Sequence, residues 1–184
     1  MTREQWLELA ITHLERLFKQ QEYQIPKLRV SIGFPGGGSA HKRIGEYWPP
    51  DAASDKVPQI FISPTHKKDI ETLGTLTHEL VHAAVGAKAG HGKLFKRCAL
   101  KIGLTGKMRA TTSGPMLVEY CEKIITDIGP LPTGSINFNK RKKQGTRLGK
   151  VICATCGYTC RVTKKWTEVG LPICPCNKEP MCEE

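Results

Sequence analysis

The sequence predicts an α+β protein made of one compact domain followed by a small cysteine-rich module. Two short apolar and β-branched segments, residues 28–34 and 57–63, have the composition of strands. Helical periodicity precedes them at residues 2–21 and follows them at 69–89. Paired cysteines occur only near the end of the chain. Its 184 residues suffice for such a domain and a small module, but not for two large domains.

The first helix is expected to be charged and amphipathic. One side of its helical projection carries only apolar residues, namely Trp6, Leu7, Ala10, Leu14 and Leu17. Charged residues interrupt every apolar run, so the segment has the pattern of neither a signal peptide nor a membrane span.

The helix predicted over residues 69–89 is the centre of the domain. Thr65, behind Pro64, is the expected N-cap, and Gly86 or Gly90 is expected near its end. One apolar stripe comprises Leu73, Leu76, Leu80, Ala84 and Ala87. His78 and His82 project on roughly the opposite side, where a surface helix would carry Lys and Glu. The pattern therefore indicates a core helix that lies beneath a cleft.

The run His78-Glu79-Leu80-Val81-His82 carries the chemistry of that face. Residues four apart lie on the same side of a helix, so both imidazoles can bind one metal ion. Glu79, beside the first histidine, can then reach a water on that metal. The alternative is a pair of buried, hydrogen-bonded histidines beside a solvated Glu79.

A catalytic zinc ion usually takes three protein ligands and leaves a fourth position open. His91 is the best candidate for the third: it follows His82 after eight residues and precedes a predicted helix over 93–102. Glu119 or Glu122, on a later helix, is the alternative acidic ligand. The remaining histidines are expected at the surface; these are His13, His41 and His66.

Two runs, Thr77-His78-Glu79-Leu80-Val81-His82-Ala83 and Gly90-His91-Gly92-Lys93-Leu94-Phe95, resemble the SprT-like zinc metallopeptidases. That family includes bacterial and phage SprT proteins and the eukaryotic protease Spartan. The resemblance extends from about residue 55 through the cysteine-rich tail. It implies a small zincin-like domain over residues 1–128, with His78, His82 and His91 as zinc ligands and Glu79 as the catalytic acid/base. Tyr47 is a candidate partner for the oxyanion, although an aromatic pair in a loop is more often packing.

The cysteine-rich tail has the layout of a zinc ribbon over residues 151–184. Cys153 and Cys156 are separated from Cys174 and Cys176 by seventeen residues. The second spacing is tighter than usual, so Cys160 or Cys182 could replace a ligand. Disulfides are the less favoured alternative, because short paired spacings without a secretory signal suit a metal better. Two further cysteines, Cys98 and Cys121, are expected to be buried thiols.

Positive charge is concentrated near the tail. Residues 129–184 hold ten Lys and Arg against four Asp and Glu, a net +6 of the chain's +11. A Gly/Pro-rich break and a basic run form the predicted linker, 129–150. Phosphate contacts and base stacking are expected from Lys140, Arg141, Lys142, Lys143, Arg147, Lys164, Lys165 and Trp166. The alternative is a solvated basic tail with a structural tryptophan.

These features predict a zinc-dependent metallopeptidase with one catalytic and one structural Zn²⁺. Its expected partners are a protein substrate and DNA, single-stranded or structured, without a membrane. We expect a monomer in the cytoplasm, or in the host cytoplasm if a phage encodes it. By resemblance to Spartan, the substrates would be proteins attached to DNA. The alternatives are a nucleic-acid-binding zinc protein with a non-catalytic zincin scaffold and a peptidase without a role on DNA.

Overall fold

The computed structural model describes residues 1–36, 43–137, 140 and 148–184. The chain divides into two compact units, Met1–Phe138 and Asn139–Glu184. Helices and short sheets alternate in the first unit, which confirms the predicted α+β class. Among the described residues, no helix is long and apolar enough to cross a membrane.

Helix α1, Arg3–Gln20, begins at a capping box. The Thr2 side chain accepts a hydrogen bond from the Gln5 backbone N–H, and the Gln5 side chain accepts one from the Thr2 backbone N–H. The predicted apolar face is buried, with Trp6 fully inaccessible. The Trp6 Nε1–H donates to the Gly129 carbonyl at 2.9 Å, which satisfies the one polar group of this buried indole.

Three strands form the sheet beside the cleft. Strand β1, Arg29–Ile32, pairs in parallel with β3, Gln59–Ile62, and the antiparallel β2, Gly45–Trp48, pairs with the other side of β3. The order is therefore β1-β3-β2, so β2 is an edge strand. Both predicted strands are present, but β2 was not expected. Its four residues are too few, and too mixed in polarity, to show strand alternation.

Helix α2, Asp69–Val85, carries the histidine motif. Leu73, Leu76 and Leu80 are fully buried as predicted, whereas Ala87 is exposed. The helix is shorter than expected because it ends at Val85, with Gly86 as its C-cap, and residues 87–89 form a separate 3-10 turn.

The prediction of Thr65 as the N-cap of α2 was wrong. Lys68 occupies that position without a side-chain cap. Thr65 instead places its hydroxyl 2.8 Å from that of Ser63, so it is engaged in the turn that leaves β3. The acidic residues Asp69 and Glu71 complement the helix dipole in the first turn.

Helix α3, Lys93–Ile102, has the predicted bounds, and it is followed by a hairpin that was not predicted. Strands β4, Leu104–Lys107, and β5, Ala110–Ser113, pair antiparallel before helix α4, Pro115–Ile128. The hairpin is short and mostly exposed, so it lacks the apolar alternation by which strands are recognised.

One apolar core joins α1, the sheet, α2, α3 and α4. Cys98 and Cys121 are fully buried within it, as expected, and their burial raises the pKa of each thiol to about 12. Leu131 also packs against this core, and its backbone N–H donates to the Asp69 carboxylate at 3.1 Å. The first residues of the predicted linker thus pack on the first unit.

The second unit is a small three-stranded sheet. Its strands are β6, Leu148–Ile152, β7, Thr159–Thr163, and β8, Cys182–Glu183, in the order β7-β6-β8, and a short helix α5, Lys164–Thr167, follows β7. Among the described residues of this unit, four are buried in its core: Val151, Cys153, Cys174 and Met181.

Candidate metal centres and cleft

The three predicted histidine ligands converge on one point. His78 and His82 lie one turn apart on α2, and His91 reaches them from the loop between the 3-10 turn and α3. The Nε2 atom of His91 lies 3.2 Å from Nε2 of His78 and 3.2 Å from Nε2 of His82. Three nitrogen donors are thereby brought together in an arrangement that could hold a metal ion.

The environment keeps these imidazoles neutral, as metal ligation requires. Burial, reinforced by neighbouring histidines, lowers the pKa of His78 to about 4 and that of His82 to about 3. The pKa of His91 is lowered as well, by burial first and by the positive charge of Arg109 second. At neutral pH each ring therefore offers a lone pair.

The aromatic ring of Phe95 packs against the rings of all three histidines. Its ring centroid lies 4.9 Å from that of His78, 4.5 Å from that of His82 and 4.8 Å from that of His91. The residue is fully buried in the first turn of α3. Phe95 was not among the predicted site residues, although it lies within the run Gly90–Phe95 that resembles the SprT-like family.

Thr111 and Tyr47 contact two of the three imidazole rings. The Nδ1 atom of His78 lies 2.8 Å from the Thr111 hydroxyl on β5. Tyr47 on β2 stacks in parallel over His82, with 6.4 Å between ring centroids and 8° between planes. Tyr47 therefore lies in a strand rather than in the expected loop, and it borders the cleft. Thr111 was missed because its role depends on the unpredicted hairpin.

Glu79 lies beside the histidines and is nearly buried. Burial raises the pKa of its carboxyl to about 8, with the negative charge of Glu46 as a second cause. The backbone N–H of Tyr47 donates to the same carboxyl and opposes this shift. A cation held by the histidines would favour the carboxylate further.

A cleft of about 460 Å³ opens above these groups. Strand β2 lies on one side of it, α2 lines it with Gly74 to His82, and the β4–β5 hairpin borders it with residues 109–111. Two arginines, Arg43 and Arg109, also line it. This volume is within the range of ligand-binding clefts, about 300–1,000 Å³.

The alternative acidic ligands lie elsewhere. Glu119 is exposed on α4, where its carboxylate pairs with Lys123 at 2.7 Å, and Glu122 is exposed as well. Neither belongs to the histidine group.

The expectation of surface histidines was wrong for His66, which is 7% exposed. Its backbone carbonyl accepts a hydrogen bond from the buried Arg3 guanidinium at 2.6 Å. His13 is partly exposed and lies 3.6 Å from the Asp127 carboxylate. His41 is outside the described residues.

The four predicted ribbon cysteines form a second group. The Sγ atoms of Cys153 and Cys176 are 3.7 Å apart, those of Cys156 and Cys174 are 3.6 Å apart, and all four lie within 4.8 Å of one another. Backbone N–H groups, first that of Cys156, lower the pKa of Cys153 to about 6. This stabilises the thiolate that binds metals.

The other assignments considered for the tail do not fit the structure. All eight cysteines are free, so no disulfide is present. Cys160 packs against the small core from β7, and Cys182 is exposed on β8; neither joins the four-cysteine group.

Both donor sets are compatible with zinc. Tetrahedral zinc with Zn–N bonds of about 2.0–2.1 Å places its nitrogens about 3.3 Å apart, and Zn–S bonds of about 2.3 Å place sulfurs about 3.8 Å apart. The distances from the His91 Nε2 to the other two nitrogens are 3.2 Å each, and the closest sulfurs are 3.4–3.7 Å apart, which is near these values.

The predicted nucleic-acid contacts are described only in part. Lys164, Lys165 and Trp166 lie together on α5, and the Lys165 Nζ lies 5.1 Å from the Trp166 ring centroid. Trp166 is 56% exposed, so its ring is accessible. Lys140 is exposed. The other four predicted contacts lie outside the described residues: Arg141, Lys142, Lys143 and Arg147.

The chain was compared with protein families, curated proteins and solved structures. No family model matches it, and neither a curated protein nor a solved structure does.

Proposed function

We propose that this chain is a zinc-dependent metallopeptidase of the SprT-like kind that acts on proteins associated with DNA. The observation that carries the proposal is the convergence of three neutral imidazoles beside the nearly buried Glu79 in an open cleft. A set of three histidines leaves one of four tetrahedral positions free, as in catalytic zinc sites. A purely structural zinc site would instead be closed by four protein ligands.

His78, His82 and His91 would hold the ion. Bound there, zinc would lower the pKa of a coordinated water to about 7 and polarise the scissile carbonyl. Glu79 would accept the proton of the attacking water and pass it to the leaving amine. The nearby backbone N–H of Tyr47 would hold the Glu79 carboxylate in place.

The second unit would supply the contact with DNA. The four cysteines would hold a structural zinc ion, which would provide much of the folding free energy of a unit with so small a core. Exposed Trp166 beside Lys164 and Lys165 offers a ring for stacking an unpaired base and charges for phosphates. Binding to DNA would raise the local concentration of protein substrates on the same DNA.

Cleavage of a DNA-binding protein tests this proposal. The zinc-loaded chain is incubated with that substrate, with and without single-stranded DNA, beside Glu79→Gln and Glu71→Gln. Glu71 is the matched control, because it is an exposed glutamate on the same helix, paired with Lys68. We expect DNA-stimulated cleavage that Glu79→Gln abolishes, by a factor of about 10² or more, and that Glu71→Gln retains.

Each of the other possible outcomes of the cleavage experiment would contradict a different part of the proposed function. Cleavage that is indifferent to DNA would leave a peptidase without a role on DNA. DNA binding without cleavage by any variant would leave a nucleic-acid-binding protein with a non-catalytic scaffold. Cleavage retained by Glu79→Gln would show that Glu79 is not the proton acceptor.

A further inference from the structure

We infer that Thr111 is a positioning residue for the metal site, because its hydroxyl holds His78 in the tautomer that presents Nε2 to the ion. The inference rests on the proposed metal-binding role of the three histidines. It assigns part of the site to the β4–β5 hairpin, which contributes no ligand of its own.

The hydrogen bond determines which nitrogen of His78 is free. A neutral imidazole carries one N–H and one lone pair. The Thr111 Oγ1 lies 2.8 Å from Nδ1 of His78, whereas Nε2 of the same ring points at His91, 3.2 Å away. With Nδ1–H donating to the hydroxyl, the lone pair lies on Nε2, towards the point where the histidines converge. The opposite tautomer would place a proton there and exclude a cation.

The hairpin is packed closely enough to hold this geometry. Gly74 on α2 faces Ser113 on β5: a Cβ at Gly74 would lie only 2.6 Å from the Ser113 hydroxyl oxygen. Thr111 and Ser113 are two residues apart on β5, so they share the side of the strand that faces α2. The absence of a side chain at Gly74 therefore lets β5 approach the helix one turn before His78.

The neighbouring Thr112 provides an internal comparison. It is exposed on the opposite side of the same strand, and its hydroxyl lies 3.3 Å from that of Thr105 rather than near the site. Valine is nearly isosteric with threonine and suits a strand equally well, but it lacks the hydroxyl. Thr111→Val and Thr112→Val thus make the same change on the two sides of one strand.

Thr111 offers the imidazole of His78 an uncharged hydrogen-bond acceptor. Metal-bound histidines usually donate their other N–H to a carboxylate, carbonyl or water, and loss of such a partner costs about 10–100-fold in metal affinity. We expect Thr111→Val to weaken Zn²⁺ binding at the histidine site by this factor. Thr111→Ser, which keeps the hydroxyl, should restore most of the affinity, and Thr112→Val should bind as the native chain does.

Two measurements on the full chain test the inference. Competition with a chromophoric chelator gives the Zn²⁺ affinity. Repeating the titration with Co²⁺ separates the sites, because only the four-cysteine site gives thiolate-to-metal charge-transfer absorption. Imidazole ¹⁵N NMR of the metal-free chain reports the tautomer of His78, expected as Nδ1–H in the native chain and redistributed in Thr111→Val.

These measurements can support or contradict the role of Thr111 independently of the result of the cleavage experiment. Equal Zn²⁺ affinity of Thr111→Val and Thr112→Val, or an Nδ1–H tautomer that persists in Thr111→Val, would overturn the inference even if Glu79→Gln abolishes cleavage. Selective loss of affinity in Thr111→Val, rescued by Thr111→Ser, would support it even if no protein substrate is cleaved.

Discussion

At the scale of single residues, the site depends on how closely the backbone of strand β2 passes the side chains of helix α2. Gly45 begins the edge strand β2 and lies against Glu79 and Thr75 of α2. A Cβ at this position would lie 2.6 Å from the Glu79 Oε1 and 2.7 Å from the Thr75 Cγ2. Such separations are well below van der Waals contact, so a side chain at this position would force Glu79 or Thr75 to shift.

Gly45→Ala should therefore displace Glu79 while sparing the histidines. We expect kcat/KM for peptide cleavage to fall about 10²-fold, the usual cost of misplacing a catalytic group by about 1 Å, with Zn²⁺ affinity nearly unchanged. Gly36→Ala is the control, because its Cβ would lie no closer than 3.4 Å to the Glu46 carboxylate. A native rate for Gly45→Ala would show that a side chain at position 45 does not displace the Glu79 carboxylate.

Buried His66 should make stability depend on pH. Burial lowers its pKa below the ordinary 6.5, with opposition from the negative charge of Glu71. The unfolded chain then binds the proton more tightly than the folded chain, so this contribution to stability is present above pH 6.5 and is lost as pH falls below it.

Urea unfolding of the native chain and of His66→Gln, each at pH 7.5 and pH 5.5, measures this contribution. We expect the native chain to lose more free energy of unfolding between these values than the variant loses. The three histidines of the cleft also titrate, but they contribute equally to both proteins and cancel in the difference. Identical losses would exclude His66 as a source of the pH dependence.

At the scale of elements, helix α3 packs against the three histidines through Phe95. Phe95, in its first turn, contacts all three imidazoles, while its neighbour Leu94 is 52% exposed. The element thus contributes packing to the candidate metal site in addition to following the loop that carries His91.

Phe95→Leu should keep the core apolar but remove the planar surface on which the rings rest. We expect a loss of about 1–2 kcal/mol in the free energy of unfolding and about a tenfold loss in Zn²⁺ affinity. Leu94→Ala should change stability by about 0.5 kcal/mol or less, because surface substitutions rarely do more. Urea denaturation and chelator competition measure both, and unchanged affinity in Phe95→Leu would show that the rings need no such support.

At the scale of the whole molecule, the two units differ in what stabilises them. The first has an extended core shared by α1 to α4, whereas the described residues of the second include four that are buried in its core, two of them cysteines of the four-cysteine group. The second unit should therefore need the proposed zinc ion to fold, and the first should not.

Cys153→Ser should unfold the second unit and reduce bound zinc from two ions to one, as counted by native mass spectrometry. DNA affinity should fall, while Zn²⁺ binding by the histidines persists. Cys182→Ser is the matched control, because Cys182 is exposed and outside the metal group. Loss of both ions in Cys153→Ser would show that the units do not fold independently.

Features that depend on local spacing could be predicted from the amino-acid sequence alone. A separation of four residues places His78 and His82 on one side of any α-helix, and short paired spacings identified the four cysteines that the structure groups. Apolar periodicity also located α1 and α2, and an apolar, β-branched composition located the strands β1 and β3.

Features that depend on contacts between distant segments could not be predicted before these segments were seen packed together. The strand β2 is short and mixed in polarity, and β5 is short and mostly polar, so no periodic pattern distinguishes them from loops. They nevertheless bring Tyr47 and Thr111 to the histidines, and Gly45 to Glu79. His66 is buried where its backbone carbonyl accepts a hydrogen bond from Arg3 of α1, a contact that its neighbours in sequence do not reveal. Side-chain spacing within one helix is set by backbone geometry, whereas these contacts arise only when separate elements pack.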